Sequence, residues 1–145
     1  MVTVSESTTI RQPLTKVFPV VADPYRQLEW DRKNFYKVEL LTPGGLKQNA
    51  CYRADVKGMG TIEYVFAEYV PNSYFIHHSN IKFGRGVHRW QFEEVPEGTR
   101  LTQTMMIEPK GIFRLLAPVM KGTMRKRVQE INSEINQYLS NLIEA

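Results

Sequence analysis

Apolar residues change their spacing twice along this chain. Residues 2–10, VTVSESTTI, are rich in β-branched side chains and partly alternate, which predicts a strand. Leu14, Val17, Phe18 and Val21 then follow a helical spacing behind Pro13, a residue suited to a first helical turn. Pro19 inside that segment predicts a kink or an early end. Asp23-Pro24 restarts a helix, with Asp as N-cap and Pro at the first position, and PYRQLEW carries it to about Trp30.

From about Phe35 to Glu108 the pattern is strand-like. FYKVELL, ACYRADV, TIEYVFAEYV, SYFIHHSNI, VHRWQFEEV and TRLTQTMMI are separated by short Gly-, Pro- and Asn-containing turns. Six such runs predict an antiparallel meander, and the N-terminal strand makes seven. Beyond it, Met120, Met124, Val128, Ile131, Ile135, Tyr138, Leu139 and Leu142 recur every three or four residues, one apolar stripe on a helix. Taken from Ile112 to Ile143 it would be roughly 45 Å long, with Pro118 kinking its start. The order strand, two short helices, six strands, long helix is one α+β domain over residues 1–145. The long helix is the only element large enough to cover the inner face of a twisted sheet, and twist prevents flush contact, so a cavity is expected between them.

Composition narrows the class. No apolar run approaches the roughly 20 residues of a membrane span, and the N-terminus lacks the basic-then-apolar pattern of a secretory leader. Cys51 is the single cysteine, which excludes an internal disulfide and fits a reducing, cytoplasmic setting. The net charge of +4 is mild, and Lys121, Arg125, Lys126 and Arg127 concentrate part of it on one stretch of helix. That stretch reads first as a solvated helix face; it could also meet an acidic protein, a phosphate or, transiently, an anionic membrane surface. No basic stripe with interleaved aromatics predicts nucleic acid as a partner. A monomer and a homodimer both fit.

The element order and the stretches VFPVVADPYRQLEW, GTRLTQTMMIEPKGIFRLLAP and LSNLIEA resemble the START-like, or SRPBCC, helix-grip superfamily of lipid-binding domains, polyketide cyclases and birch-pollen-type allergens. Within it the chain is most similar to the bacterial polyketide cyclase/dehydrase-type branch. The resemblance spans the chain and implies a seven-stranded antiparallel curved sheet wrapped around a long C-terminal helix, with a cavity for a small hydrophobic molecule. The chain departs from the common pattern at Pro19 and in GGLKQNACYRA.

Strand alternation sorts the side chains. The inner positions are Ile62, Tyr64 and Phe66; His88, Trp90 and Phe92; and Leu101, Gln103, Met105 and Ile107. In SYFIHHSNI the phase is open between Tyr74, Ile76, His78 and Phe75, His77, Ser79, so His77 and His78 oppose each other. Arg53, Asp55 and Cys51 fall on an outer face, with Arg53 and Asp55 expected to pair. The expected cavity lining is Tyr64, Phe66, His88, Trp90, Phe92, Leu101 and Met105 from strands, with Phe113, Leu116, Met120 and Met124 from the lid and helix. Such an apolar groove with few polar groups is a small-molecule site.

His88, Tyr64 and Gln103 are the candidate catalytic groups, His88 foremost because imidazole exchanges protons near neutrality. His77-His78 is not a metal pair, since neighbouring strand residues diverge. Gly58-Met59-Gly60 is a hairpin turn, not a dinucleotide fingerprint. No cofactor or metal is predicted. Three readings follow: a binder or carrier of a lipid, isoprenoid, quinone or polyketide-like molecule; a cyclase, aromatase or dehydratase using the same cavity; or a protein-interaction module.

Overall fold

The computed structural model describes residues 1–144, with side chains through residue 141. Leu142 of the expected stripe therefore has no described side chain. Strands β1 (Val2–Ile10), β2 (Phe35–Leu40), β3 (Cys51–Val56), β4 (Gly60–Val70), β5 (Tyr74–Ile81), β6 (Gly84–Val95) and β7 (Gly98–Pro109) form one antiparallel sheet in the order β1-β7-β6-β5-β4-β3-β2. Helices α1 (Leu14–Ala22) and α2 (Pro24–Trp30) link β1 to β2, and α3 (Ala117–Glu144) closes the chain. This is a helix-grip fold.

Local chemistry explains the short helices. α1 buries Val17, Phe18 and Val21, as its spacing requires, and runs through Pro19 to stop three residues later. Asp23 caps α2: its carboxylate accepts the Tyr25 N–H at 2.9 Å, with Pro24 at the first helical position. Trp30 at the end of α2 donates its indole N–H to the Val20 carbonyl at 3.0 Å, locking the two helices together.

The start of the last helix differs from expectation. Gly111–Leu116 is a 3-10 helix, and the α-helix begins at Ala117. Pro118 thus sits in the first turn, where its missing N–H costs no hydrogen bond, and kinks nothing. The change of direction belongs to Gly111, with φ of +57°, and to the tighter helix after it.

β4 also departs from simple alternation. Its register on β5 shifts between Phe66 and Glu68, so Ala67 is an extra residue. Tyr64 and Phe66 face inward before the bulge and Tyr69 packs inward after it, which leaves Glu63 and Glu68 exposed. Arg53 and Asp55 do not pair with each other. Arg53 reaches Glu63 and Glu39 across the neighbouring strands, and Asp55 accepts from Thr61, because directly opposed residues lie closer than i and i+2.

The backbone of α3 lies closest to β1 and β7, and only its far half reaches the side chains of the middle strands. Arg125 meets Glu6 of β1 at 2.7 Å, and Arg127 meets Asp31, at the end of α2, at 2.7 Å. Asp31 has no exposed surface and also accepts from Gln27. Two of the four cations in the expected basic turn are therefore engaged in ion pairs with other elements. One core cluster joins α1, α2, β3–β6 and the far half of α3; a second joins β1, the ends of β5 and β7, and the near half of α3. The space between them is the cavity.

None of the 3-10 helix residues is buried, whereas Val128, Ile131, Ile135 and Leu139 of α3 are. Backbone amides of 111–116 are expected to exchange with deuterium at least about a hundredfold faster than those of 128–139. Equal protection in the two segments would contradict this packing.

Candidate functional site

The cavity holds about 500 Å³ between the sheet and α3. Its walls are overwhelmingly hydrocarbon and aromatic. Ile62 and Tyr64 of β4, His88 and Trp90 of β6, and Met105 and Ile107 of β7 supply the sheet side. Met120, Thr123, Met124, Arg127 and Ile131 of α3 supply the helix side, and Phe113, Leu116 and Val119 frame the mouth. Of the eleven residues expected from sequence, Tyr64, His88, Trp90, Met105, Phe113, Leu116, Met120 and Met124 line this space.

Phe66, Phe92 and Leu101 do not. They point to the same side of the sheet but lie further along it, where α1 plugs the space. Phe18 of α1 packs on Phe92 with centroids 5.0 Å apart, and Phe66 packs on Phe75 at 5.4 Å. Inward facing alone does not distinguish core from cavity; the position of α1 does.

β5 takes the phase Phe75, His77, Ser79, Ile81, and the last three line the cavity. His78 lies on the opposite face, against a shallow outer hollow with Cys51 and Glu63. The neighbours of His77 are Phe66 on β4 and His88 on β6, so strand pairing assigns a phase that β5 by itself leaves open. Gln27, Phe35, Phe83 and Arg127 join the lining from distant parts of the chain.

The polar groups of the inner wall form a short network. His88 Nε2 lies 2.9 Å from Gln103 Oε1, and Gln103 Nε2 donates to Asn132 Oδ1 of α3. An amide oxygen only accepts, so the His88 proton resides on Nε2 and Nδ1 keeps a free lone pair. Gln103 is fully buried, and Asn132 nearly so. His88 stacks on Trp90 at 4.4 Å, and Trp90 stacks on Phe75. Tyr64 lies 4.8 Å from His77, centre to centre. The Tyr64 hydroxyl, the Trp90 indole N–H and His77 Nε2 are buried without a hydrogen-bond partner. Each such group costs about 1–3 kcal/mol.

Burial sets the ionisation of this wall. It lowers the His88 imidazole to about 4; the bond to Gln103 opposes the shift and the Arg127 charge adds to it. His77 is held well below the usual histidine range by burial and then by His88. Burial raises the Tyr64 phenol far above its ordinary value, so it stays protonated. At neutral pH the inner wall therefore carries neutral imidazoles and a neutral phenol, with Arg127 as its cation. That cation is neutralised by Asp31 and reaches Glu130 at 3.4 Å.

Glu134 sits beside this ion pair. Both of its oxygens are buried without a donor, and only a protonated Glu134 can donate to Asp31. Burial, then Asp31, pushes this carboxyl up to about 8. No group of three or more His, Cys, Asp or Glu capable of holding a metal occurs among the described residues, and no described helix is long and apolar enough to cross a membrane.

The histidines and Glu134 act on stability with opposite signs. Between pH 4 and 6.5 the unfolded chain holds a proton on His88 that the folded chain does not, so stability rises with pH across that window, by up to about 3 kcal/mol. Glu134 is protonated in the folded state and ionised in the unfolded one above its ordinary 4.5, so its contribution is lost progressively between about 4.5 and 8. Melting curves should show His77→Leu/His88→Gln flattening the rise on the acid limb and Glu134→Gln removing a loss of stability between about pH 6.5 and 8. Unchanged limbs would contradict these assignments.

The comparisons with known proteins agree with this geometry. The model of the family described as "Polyketide cyclase / dehydrase and lipid transport" matches residues 1–139. No curated protein sequence matches the chain. A protein of unknown function from Staphylococcus aureus superimposes with a TM-score of 0.80 at 12% identity, over 99% of this chain and 96% of its own. A START superfamily protein from Mycobacterium smegmatis gives 0.78 at 15% identity, over 97% and 98%. A Mesorhizobium loti protein gives 0.75 at 15%, over 96% and 97%. At these identities the likeness is one of fold.

Proposed function

The chain belongs to the polyketide cyclase / dehydrase and lipid transport family, and from that membership we propose that its cavity binds, and carries or sequesters, one small and largely apolar molecule. The observation that carries the reading is the cavity itself: about 500 Å³ of space walled by Ile, Met, Phe and Trp side chains, with few polar groups among them. A lipid, isoprenoid, quinone or polyketide-like compound fits these walls. The polar groups refine the choice. An ionised headgroup in the inner part would be stripped of water with no free counter-charge, because Arg127 is committed to Asp31. A neutral oxygen is better matched, since Tyr64 and Trp90 could donate to it and His77 has an unused nitrogen.

A second reading is catalysis of ring closure or dehydration in the same space. It is favoured by one observation, the free Nδ1 lone pair of His88, held in place through Gln103 and Asn132. An imidazole lowered to about 4 is a weak base, however, and the wall offers no acid at neutral pH to complement it. Binding without chemistry is the better account.

Native mass spectrometry of the purified protein, followed by release on denaturation, is expected to show a stoichiometric apolar molecule. Trp90→Ala enlarges the cavity and removes a stacking surface, and should weaken retention of that molecule at least about tenfold. Full retention by Trp90→Ala would refute the site. Product formation from a polyketone that is lost in His88→Asn would establish the enzymatic reading in its place.

A further inference from the structure

Among the described residues, four of the eight large apolar side chains that stand exposed fall within eight residues: Ile112 at 74%, Leu115 at 84%, Leu116 at 45% and Val119 at 68%. In a 3-10 helix residues three apart share a face. Phe113 and Leu116 therefore turn to the cavity, while Ile112 and Leu115 turn away from it with nothing to cover them. The helix is fixed in this pose from behind. Lys110 N–H donates to the Phe83 carbonyl at 3.0 Å, and the Phe83 and Phe113 rings meet edge to face at 5.2 Å. A pair of exposed aliphatic side chains is thus placed at the rim of an apolar cavity.

Charge is distributed unevenly around the same end of the molecule. The β3–β4 turn carries Lys57, the β5–β6 turn Lys82, and the chain from β7 into α3 carries Lys110, Arg114 and Lys121, all exposed. Glu108 is the single carboxylate in those segments. None of the five cations makes an ion pair among the described residues. At the opposite end of the sheet the charges are mixed: exposed Glu93, Glu94 and Glu97 of the β6–β7 hairpin stand with exposed Arg11, Lys47 and Arg100, and Arg100 pairs with Glu93 at 2.8 Å. The molecule thus presents one end that is both basic and apolar.

We propose that the 3-10 helix Gly111–Leu116 and the first turn of α3 dock the cavity mouth onto an anionic lipid bilayer. Ile112, Leu115 and Val119 enter the headgroup boundary and the ring of lysines and arginine meets lipid phosphates. A second copy of the chain is disfavoured on this face, because pairing it with itself would oppose like charges. Docking in this pose joins the mouth to the bilayer interior, so that an apolar molecule could pass without crossing water.

Vesicle flotation tests this, with phosphatidylcholine alone against phosphatidylcholine containing one-third phosphatidylglycerol. The protein is expected to float with the anionic vesicles at about 50 mM salt and to be largely released at about 500 mM. Leu115→Glu and Ile112→Glu, both at exposed positions, should abolish flotation while leaving the melting temperature unchanged. Lys110→Ala and Arg114→Ala should each weaken it about fivefold. Wild-type protein that stays with the aqueous fraction would overturn the proposal, as would flotation unaffected by Leu115→Glu. A concentration-dependent dimer that Leu115→Glu dissolves, with no vesicle binding, would assign the face to a second copy instead.

Discussion

A single helix cannot lie flush on a seven-stranded twisted sheet, and the other features of this molecule depend on that mismatch. α3 settles on β1 and β7 at one edge, and its near half stands away from the middle strands. The space left over is closed at one end by α1 and α2 and remains open at the other, under the 3-10 helix. What keeps it from collapsing is the way α3 is tethered. Arg125 to Glu6 and Asn136 to Thr8 hold it along β1, and Arg127 to Asp31 holds it to the end of α2. The last is the deepest of the three. Removing either partner from a buried pair leaves an uncompensated charge, which typically costs about 3–5 kcal/mol, so the helix is held at the distance this pair requires.

Packing on either side of the cavity divides the labour. Aromatic residues of α1 and the far halves of the strands, Phe18, Phe66, Phe75 and Phe92, make a solid core that contributes stability. Methionines and branched aliphatics of the near half, Met105, Met120, Met124 and Ile107, face the open space. Thioether side chains rearrange at little cost, which suits a wall that must fit a guest of irregular shape. At the junction of the two regions sit His77, His88, Tyr64 and Trp90, the polar groups from which a ligand would be oriented. The solid core fixes their backbones and burial keeps them neutral.

Much of this was legible in the chain. Helical spacing from Met124 to Leu139, strand runs cut by turn residues, and the Asp23-Pro24 start signal are local patterns, and the elements follow them. The parts that were not legible depend on residues far apart in sequence. The β4 bulge at Ala67 reverses a strand's phase with no residue that announces it. His77 needs the register of β5 on β4 and β6. Phe66, Phe92 and Leu101 alternate correctly, yet are covered by α1 and so miss the cavity. Arg127 reads as one of a solvated basic turn until Asp31, nearly a hundred positions earlier, is placed beside it. Pro118 suggested a kink because a helix was drawn from Ile112; begun at Ala117, the helix has its proline in the turn that tolerates one.

The central claim is that the gap between α3 and the sheet is a real apolar cavity able to hold a guest. Crystals of the protein pressurised with xenon test it directly, since xenon enters dry hydrocarbon cavities large enough to accept it. The account predicts ordered xenon among Met105, Trp90, Met120 and Ile107. A crystal structure in which α3 has closed onto β5 and β6, with no xenon between them, would contradict it.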